Sequence, residues 1–494
     1  MPTAPLWLLV ALQATVSAAS MVVEIVAGRM LAPYVGMSLY TWTSVIAVVL
    51  AGFSAGHWWG GRLADRPGIN PMAATAWALV AAAVTTALAG VALRASAEPV
   101  LSAFPQPVWG ITGLTLAAFF LPSLFAGIPA PLLTQVSLSG PSRQGQALGA
   151  MFASGAIGAI VGTLLAGFVF ISFLGSLWTL TTVTLVYSAG AALCFALGKR
   201  LQLVQGTSLV ALAALALYSG LSKGPCTLES RYFCLQSVDV SADASRPTRA
   251  MVIDHLVHGI SAQDAPDVMF TDHAAMLDAL TRLRAPTADP ATFHIGGGNY
   301  ALPRAFAHRG FTQTTVAEID PAVTDLAQRD FWFDPTQVRV LHMDARRALL
   351  TEDQRYDVVI GDAFTDTAVP QHLVTAEFFA LIRDRLTPEG TYLMNVIDYA
   401  DRMQAVGSLV TTLRDVFPVV EVWAEARRPA PGERVVMVIA AGVSETPTSS
   451  FSVPAPEQTT FAALGPGFVD QLAAAGVYLT DDYAPIDRLV GPRD

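Results

Sequence analysis

The stretch HIGGGNYALPRAF, residues 294–306, decides the fold. A short apolar run ends in three glycines, and a helix-like segment follows. Glycine lacks Cβ, so such a loop turns tightly and lets a ligand approach the backbone. The fingerprint Gly296-x-Gly298-x-x-Ala301 says by itself only that a strand feeds a helix through a turn suited to a nucleotide.

The neighbouring segments make the reading specific. TFHIG, TTVAEID, VRVLHMD, YDVVIGD and TYLMNVID are apolar runs separated by helix-like stretches. This alternation predicts a parallel sheet with crossover helices, whose ligands sit at the carboxyl ends of the strands. VVEVWAE (419–425) and RVVMVIAAG (434–442) predict a late hairpin, which makes the sheet Rossmann-like and of the methyltransferase type. Glu318 lies 22 residues after Gly296, where a carboxylate accepts hydrogen bonds from ribose hydroxyls. Asp344 and Asp362 end the next two strands. Three acids along one sheet edge repel phosphates. They suit a nucleoside that carries positive charge, such as S-adenosylmethionine or its decarboxylated form. The bland alternative is that these acids cap helices and turns.

Composition divides the chain. Of 494 residues, 53% are hydrophobic and 14% charged, against about 25% charged in a typical soluble protein. Residues 1–222 hold seven Lys/Arg and three Asp/Glu, while residues 223–494 hold 22 and 36. An acidic soluble half argues against nucleic-acid partners. The apolar half offers about seven segments long enough to cross a bilayer, near 5–30, 38–60, 72–93, 109–135, 146–172, 175–197 and 203–221. The expectation is therefore a multi-domain integral membrane protein, of a bacterial inner membrane. It has an α-helical transmembrane domain (1–222), a linker with a small β-rich region (223–285) and an α/β domain (286–494). The first segment is too long, and too poor in leading positive charge, for a cleavable signal peptide.

Gly158 and Gly162 suit close helix packing. Glu24, an acid inside the first segment, is a functional candidate, or a partner of Arg29 or His57. Arg62, Arg66, Arg143, Lys199 and Arg200 fall in alternate loops, which puts them on one side, the cytoplasm. An odd number of crossings then places the acidic half outside. Cys226 and Cys234 bracket CTLESRYFC as free thiols or as a disulfide, and Cys194 reads as packing; no metal-binding spacing occurs.

Two resemblances add to this. GGRLADRPG (60–68) resembles the loop motif between the second and third helices of major facilitator transporters. Residues about 228–400 resemble the polyamine aminopropyltransferases (spermidine synthases), in the subgroup fused to a membrane domain. The matching pieces are RAMVIDHLVHGI (249–260), HIGGGNYALPR, VAEIDP (316–321), MDAR (343–346), YDVVIGDAFTD (356–366) and VPQHLVTAEFFALIRDRLTPEGTYLMNV (369–396), with LTDDYAPID (479–487) typical of the subgroup. The resemblance implies that Gly296, Gly297, Gly298, Asn299 and His258 hold the donor. It implies that Glu318 binds the ribose, and that Asp344 and Ala345 lie beside the adenine. Asp362 is then the catalytic aspartate, with Asp366 as second acid one residue beyond the usual spacing. It implies no metal, a polyamine such as putrescine as acceptor, release of methylthioadenosine, and a homodimer.

Departures leave the chemistry open. Asn299 stands where the family has an acid for the donor's ammonium group, His258 where it has Gln, and HAA (273–275) where it has a YHE-like stretch. Fewer acids suit a polycation poorly. An asparagine can hydrogen-bond the carboxylate that S-adenosylmethionine retains. The readings are aminopropyl transfer to a polyamine, an S-adenosylmethionine lyase giving methylthioadenosine and homoserine lactone, and a non-catalytic polyamine or nucleoside transporter or sensor. Methyl transfer ranks behind them.

Overall fold

The computed structural model describes residues 4–104, 106–139, 144–198, 203–363, 370–454 and 456–490. The chain forms two compact units, Met1–Cys234 and Leu235–Asp494.

The first unit contains α1 (Leu6–Val35), α2 (Leu39–Ala64), α3 (Pro71–Ala103), α4 (Pro107–Gly127), α5 (Pro129–Leu138), α6 (Gln144–Leu165), a π-helical turn (Ala166–Phe170), α7 (Ile171–Leu197), α8 (Leu203–Leu221) and β1 (Leu228–Glu229). Among the described residues six helical stretches are long and apolar enough to cross a membrane, and residues 144–197 count as one of them. That stretch doubles back. Gly158 lies against Ala14 and Gly162 against Ala18, so α6 runs parallel to α1. The Tyr187 hydroxyl meets that of Ser20, and Gly190 lies near Leu12, so α7 runs antiparallel to α1. The reversal falls at Gly175, with φ 70° and ψ 177°, a backbone state that L side chains disfavour. The break stands between the fifth and sixth of the seven segments read from the sequence. Pro122 stays inside α4, and the chain passes into α5 at Ile128–Pro129.

Backbones approach closely here. A Cβ on Gly52, Gly56 or Gly60 would come within 3.0 Å of the carbonyl of Phe120, Leu124 or Ile128, and one on Gly158 or Gly162 would strike that of Ala14 or Ala18. Small residues let the backbones of apolar helices approach closely. Arg29 donates to the carbonyls of Ser230 and Tyr232 rather than to Glu24. Cys226 and Cys234 form a disulfide.

The second unit opens with an antiparallel meander of β2 (Cys234–Asp239), β3 (Thr248–Ile253) and β4 (Leu256–Ala262). Then come α9 (Asp272–Arg284), β5 (Thr292–Ile295), α10 (Ala301–His308), β6 (Thr314–Ala317), α11 (Pro321–Asp330), β7 (Arg339–Leu341), α12 (Ala345–Thr351), β8 (Tyr356–Gly361), α13 (Ala376–Arg385), β9 (Leu386–Tyr399), α14 (Gln404–Arg414), β10 (Val419–Glu425), β11 (Arg434–Gly442), β12 (Ser450–Val453), β13 (Thr459–Ala463), α15 (Pro466–Ala474) and α16 (Ile486–Val490). The sheet order is β12-β13-β10-β11-β9-β8-β5-β6-β7. Strands β5 to β9 pair in parallel, and β11 inserts antiparallel between β9 and β10. This is the methyltransferase-type sheet with its late hairpin, extended by β12 and β13, two short strands that no apolar run announces.

Both faces of the sheet are covered, as a parallel sheet requires. Alternation along the strands sends Phe293, Ile295 and Val359 into one core and Val358 and Ile360 into the other. His294 takes the second direction and stacks near Phe306. The order reverses between β5 and β8, whose carboxyl ends lie side by side. The glycine loop and Asp362 both start there.

Candidate active site

The loop after β5 is built for close approach. Gly296 has φ 90° and Gly298 φ 52°, and Tyr300 also takes a left-handed conformation. A Cβ on Gly296 would lie 2.8 Å from the Asp362 carbonyl. The Tyr300 ring lies where a Cβ on Gly297 would be, and its hydroxyl pairs with Thr324 Oγ1 at 2.7 Å. The glycine loop is thus packed against the end of β8.

Asp362 follows β8, and its N–H donates to the Ile295 carbonyl at 3.1 Å. Asn395 of β9 donates from Nδ2 to Asp362 Oδ1 at 2.9 Å. His273, at the start of α9, places Nε2 3.9 Å from Asp362 Oδ2. One carboxylate oxygen is thus held by an amide and the other faces an imidazole. His258, Gly259, Thr271, His273, His294, Gly296, Gly297, Gly298, Asn299 and Asp362 surround a small cavity of about 20 Å³, room for about one water.

Two of these imidazoles are neutral. Burial pushes His258 down to about 4, against the opposing pull of Asp362. Burial pushes His294 down to about 3. Among the described residues the Nε2 atoms of both are buried without a hydrogen-bond partner, at a desolvation cost of about 1–3 kcal/mol each.

The other sequence-predicted residues fall along the same sheet edge. Glu318, 5% exposed, accepts from the N–H groups of Gly297 at 2.8 Å and Asp320 at 2.9 Å. Burial holds its carboxyl above the usual range, and those N–H donors oppose the shift. It reaches the cavity through Gly297 rather than lining it. Asn299 is 4% exposed; its Nδ2 donates to Ser261 Oγ at 3.0 Å and its Oδ1 accepts from the Ala301 N–H at 3.2 Å. The side chain ties β4 to the start of α10. Asp344 caps α12 by accepting from the Arg347 N–H and also accepts from His372 Nε2 at 2.7 Å. Ala345 is buried behind it. Asp344 and Ala345 do not line the cavity at Asp362. Asp366 lies outside the described residues.

Asn395, His294 and His372 join the site without having been singled out in the sequence. Asn395 interrupts the apolar run TYLMNVID, and His294 opens the glycine stretch itself, so both carried a signal; His372 carried none. The LTDDYAPID segment supplies a brace. Asp481 pairs bidentately with Arg346 at 2.7 and 2.6 Å and accepts from Thr375 Oγ1.

Residues 292–449 match the family model of the spermine/spermidine synthase domain. A protein described as a probable polyamine aminopropyl transferase, from Bifidobacterium longum, is 32% identical over 143 residues, 28% of this chain and 32% of that protein. Polyamine aminopropyltransferase 2 of Streptomyces coelicolor is 28% identical over 386 residues, 72% of this chain and 64% of its own length. The chain thus spans less than two thirds of either relative. The second alignment covers more of this chain than its second unit contains, so it runs into the helical unit. A crystal structure of a probable spermidine synthase from Corynebacterium glutamicum covers 51% of this chain and 95% of its own, at 20% identity and a TM-score of 0.45.

Proposed function

We propose that this chain is a membrane-anchored relative of the polyamine aminopropyltransferases. In this reading it cleaves the alkyl carbon–sulfur bond of S-adenosylmethionine or its decarboxylated form and releases methylthioadenosine. One observation carries the reading. Asp362 stands at the strand-order reversal against Gly296, with one oxygen fixed by Asn395 and the other turned to the cavity.

The chemistry needs little from the protein beyond alignment. Sulfonium is a good leaving group; an amine attacks the carbon beside it, and the electron pair of the broken bond returns to sulfur. The amine must arrive uncharged, and Asp362 can take its proton. Asn395 keeps the carboxylate aimed, which is the positioning that such a displacement depends on. Glu318 and Asp344 are the proposed contacts of ribose and adenine. Gly298 lets the donor approach the backbone, while Gly297 makes room for the Tyr300 ring.

A second reading is favoured by the cavity lining. Among the described residues Asp362 is the one carboxylate there, and His258 and His294 are neutral. A di- or triamine wants several acids along its length. If the donor's own carboxylate attacks the same carbon, a lactone and methylthioadenosine form, no proton is released and no acceptor site is needed.

The helical unit is proposed to span a membrane seven times. Arg62 and Arg66 mark the cytoplasmic side, and the Cys226–Cys234 disulfide marks the other, since disulfides persist in oxidising compartments. Extension of the Streptomyces coelicolor alignment into the helices supports the membrane-fused subgroup.

The test is to incubate the purified full chain with each sulfonium nucleoside, with and without putrescine, and measure methylthioadenosine. Product from decarboxylated donor only with amine supports transfer. Product from S-adenosylmethionine alone supports the lyase. No nucleoside product under any condition overturns both.

A further inference from the structure

A sizeable opening in the helical unit lies away from the chemistry described above. A cavity of about 620 Å³ is walled by the last turns of α1, the later part of α3, the residues around the Gly175 reversal, and the segment 220–229 after α8. The volume falls within the range of small-molecule sites. Its walls are mainly apolar, with Met30, Pro33, Leu93, Leu177 and Trp178 among them.

Three charged side chains face it, Arg29, Arg94 and Glu229. Glu229 is already engaged. It accepts from the N–H and hydroxyl of Ser176, the first residues of the α7 helix beyond the break. The positive end of a helix offsets its charge. Arg29 is partly engaged, on the carbonyls of Ser230 and Tyr232, but its Nε is buried without a partner. Arg94, partly buried, makes no hydrogen bond and no ion pair among the described residues. The Tyr34 hydroxyl lies on the same wall. The cavity therefore holds one excess positive charge, a guanidinium fork without an acceptor and an apolar body of space beside it.

Position fits such a ligand. Phe173 is 73% exposed and Trp178 42%, and both flank the opening. Exposed tryptophan side chains such as Trp178 sit at the headgroup level of a bilayer. Guanidinium groups bind carboxylate and phosphate oxygens in bidentate fashion.

We propose that this cavity is a binding site for an oxyanion head carried on an apolar body, with Arg94 as its main ligand and Arg29 and Tyr34 beside it. The same chemistry belongs to an anionic lipid headgroup and to a soluble organic phosphate, and the experiment separates them. The full chain is reconstituted in nanodiscs of phosphatidylcholine with or without phosphatidylglycerol, released from them, and examined by native mass spectrometry. Glycerol 3-phosphate and inorganic phosphate are titrated separately in detergent, with the shift of the thermal midpoint as readout.

The expected result is one retained phosphatidylglycerol per chain, at least tenfold above phosphatidylcholine. Arg94→Gln should lower that retention about tenfold, Arg94→Lys should lower it less, and Arg62→Gln, on the opposite side of the unit, should leave it unchanged. A soluble anion as the natural ligand would instead show saturable stabilisation by glycerol 3-phosphate that Arg94→Gln abolishes. Equal retention of both lipids, with no response to either phosphate, would overturn the proposal in the unmodified chain alone, whether or not the variants fold. So would equal losses in Arg94→Gln and Arg62→Gln.

Discussion

Glycines serve the two units in different ways. In the helical unit Gly52, Gly56, Gly60, Gly158 and Gly162 keep helical dihedrals and leave out Cβ, so that carbonyls of a neighbouring helix fit against them. In the α/β unit Gly296 and Gly298 take positive φ and turn the chain between a strand and a helix. The first use specifies packing and tolerates no added atom. The second specifies a path, one that at Gly296 also brings the loop against the Asp362 carbonyl. Polar side chains follow the same division. In the helices most hydroxyls return to their own backbone four residues earlier. Around Asp362 they converge from four separate elements.

The comparison breaks or sharpens at four points. The largest effect is expected at Asp362→Asn, which should lower methylthioadenosine release about 10²-fold or more, the usual weight of a positioned base. Its thermal midpoint should match that of the parent; a fall of several degrees would make Asp362 a structural residue. Such a result would erase the distinction drawn between the units.

Next is the acid sensitivity of the α/β unit. His258 is neutral in the folded state with its pKa pushed down to about 4 from 6.5. As pH falls through 6.5 the unfolded chain takes the proton first, so stability is lost between about 6.5 and 4 and levels off below. One such group is worth at most about 3 kcal/mol. Urea unfolding across that window should show a smaller loss in His258→Gln than in the parent, and an unchanged slope would sink the assignment.

Packing comes third. Gly56→Ala places a methyl against the Leu124 carbonyl and should cost about 1–3 kcal/mol. Gly61→Ala, where a Cβ would meet nothing within 4 Å, should cost nothing measurable. Thermal midpoints in one detergent compare the pair, and equal midpoints would remove the packing explanation. The smallest effect belongs to the brace. Asp481→Asn breaks a bidentate pair with Arg346 in which Asp481 is 40% exposed, so about 1 kcal/mol is expected. A loss several times larger would mean that the segment organises the Asp344 edge rather than steadying it.

Much of this was legible in the sequence. Glu318, Asp344 and Asp362 mark the strand ends, because an apolar run that stops at an acid in an α/β pattern stops at the carboxyl edge of the sheet. Gly158 and Gly162 announced close helix packing. Other features depended on neighbours that sequence order hides. Asn395 meets Asp362 because β9 pairs with β8. His294 faces the cavity because the alternation of β5 sends it there. Asn299 was read for a ligand, yet its amide is largely occupied by Ser261, 38 residues earlier. The Gly175 reversal looked like one glycine among many in an apolar run. Glu24 was offered Arg29 as partner, but Arg29 turns to the backbone of the segment after α8.

The cavity beside Asp362 has room for about one water, far less than a nucleoside requires. If a nucleoside is the ligand, the described walls of this cavity must part to admit it, and apparent affinity then falls with the share of molecules in which they have. Binding should begin with a slow, saturating phase as the site opens. Variants that trim its walls should speed that phase and tighten binding while leaving the alignment at Asp362 poorer, so affinity and turnover would move in opposite directions.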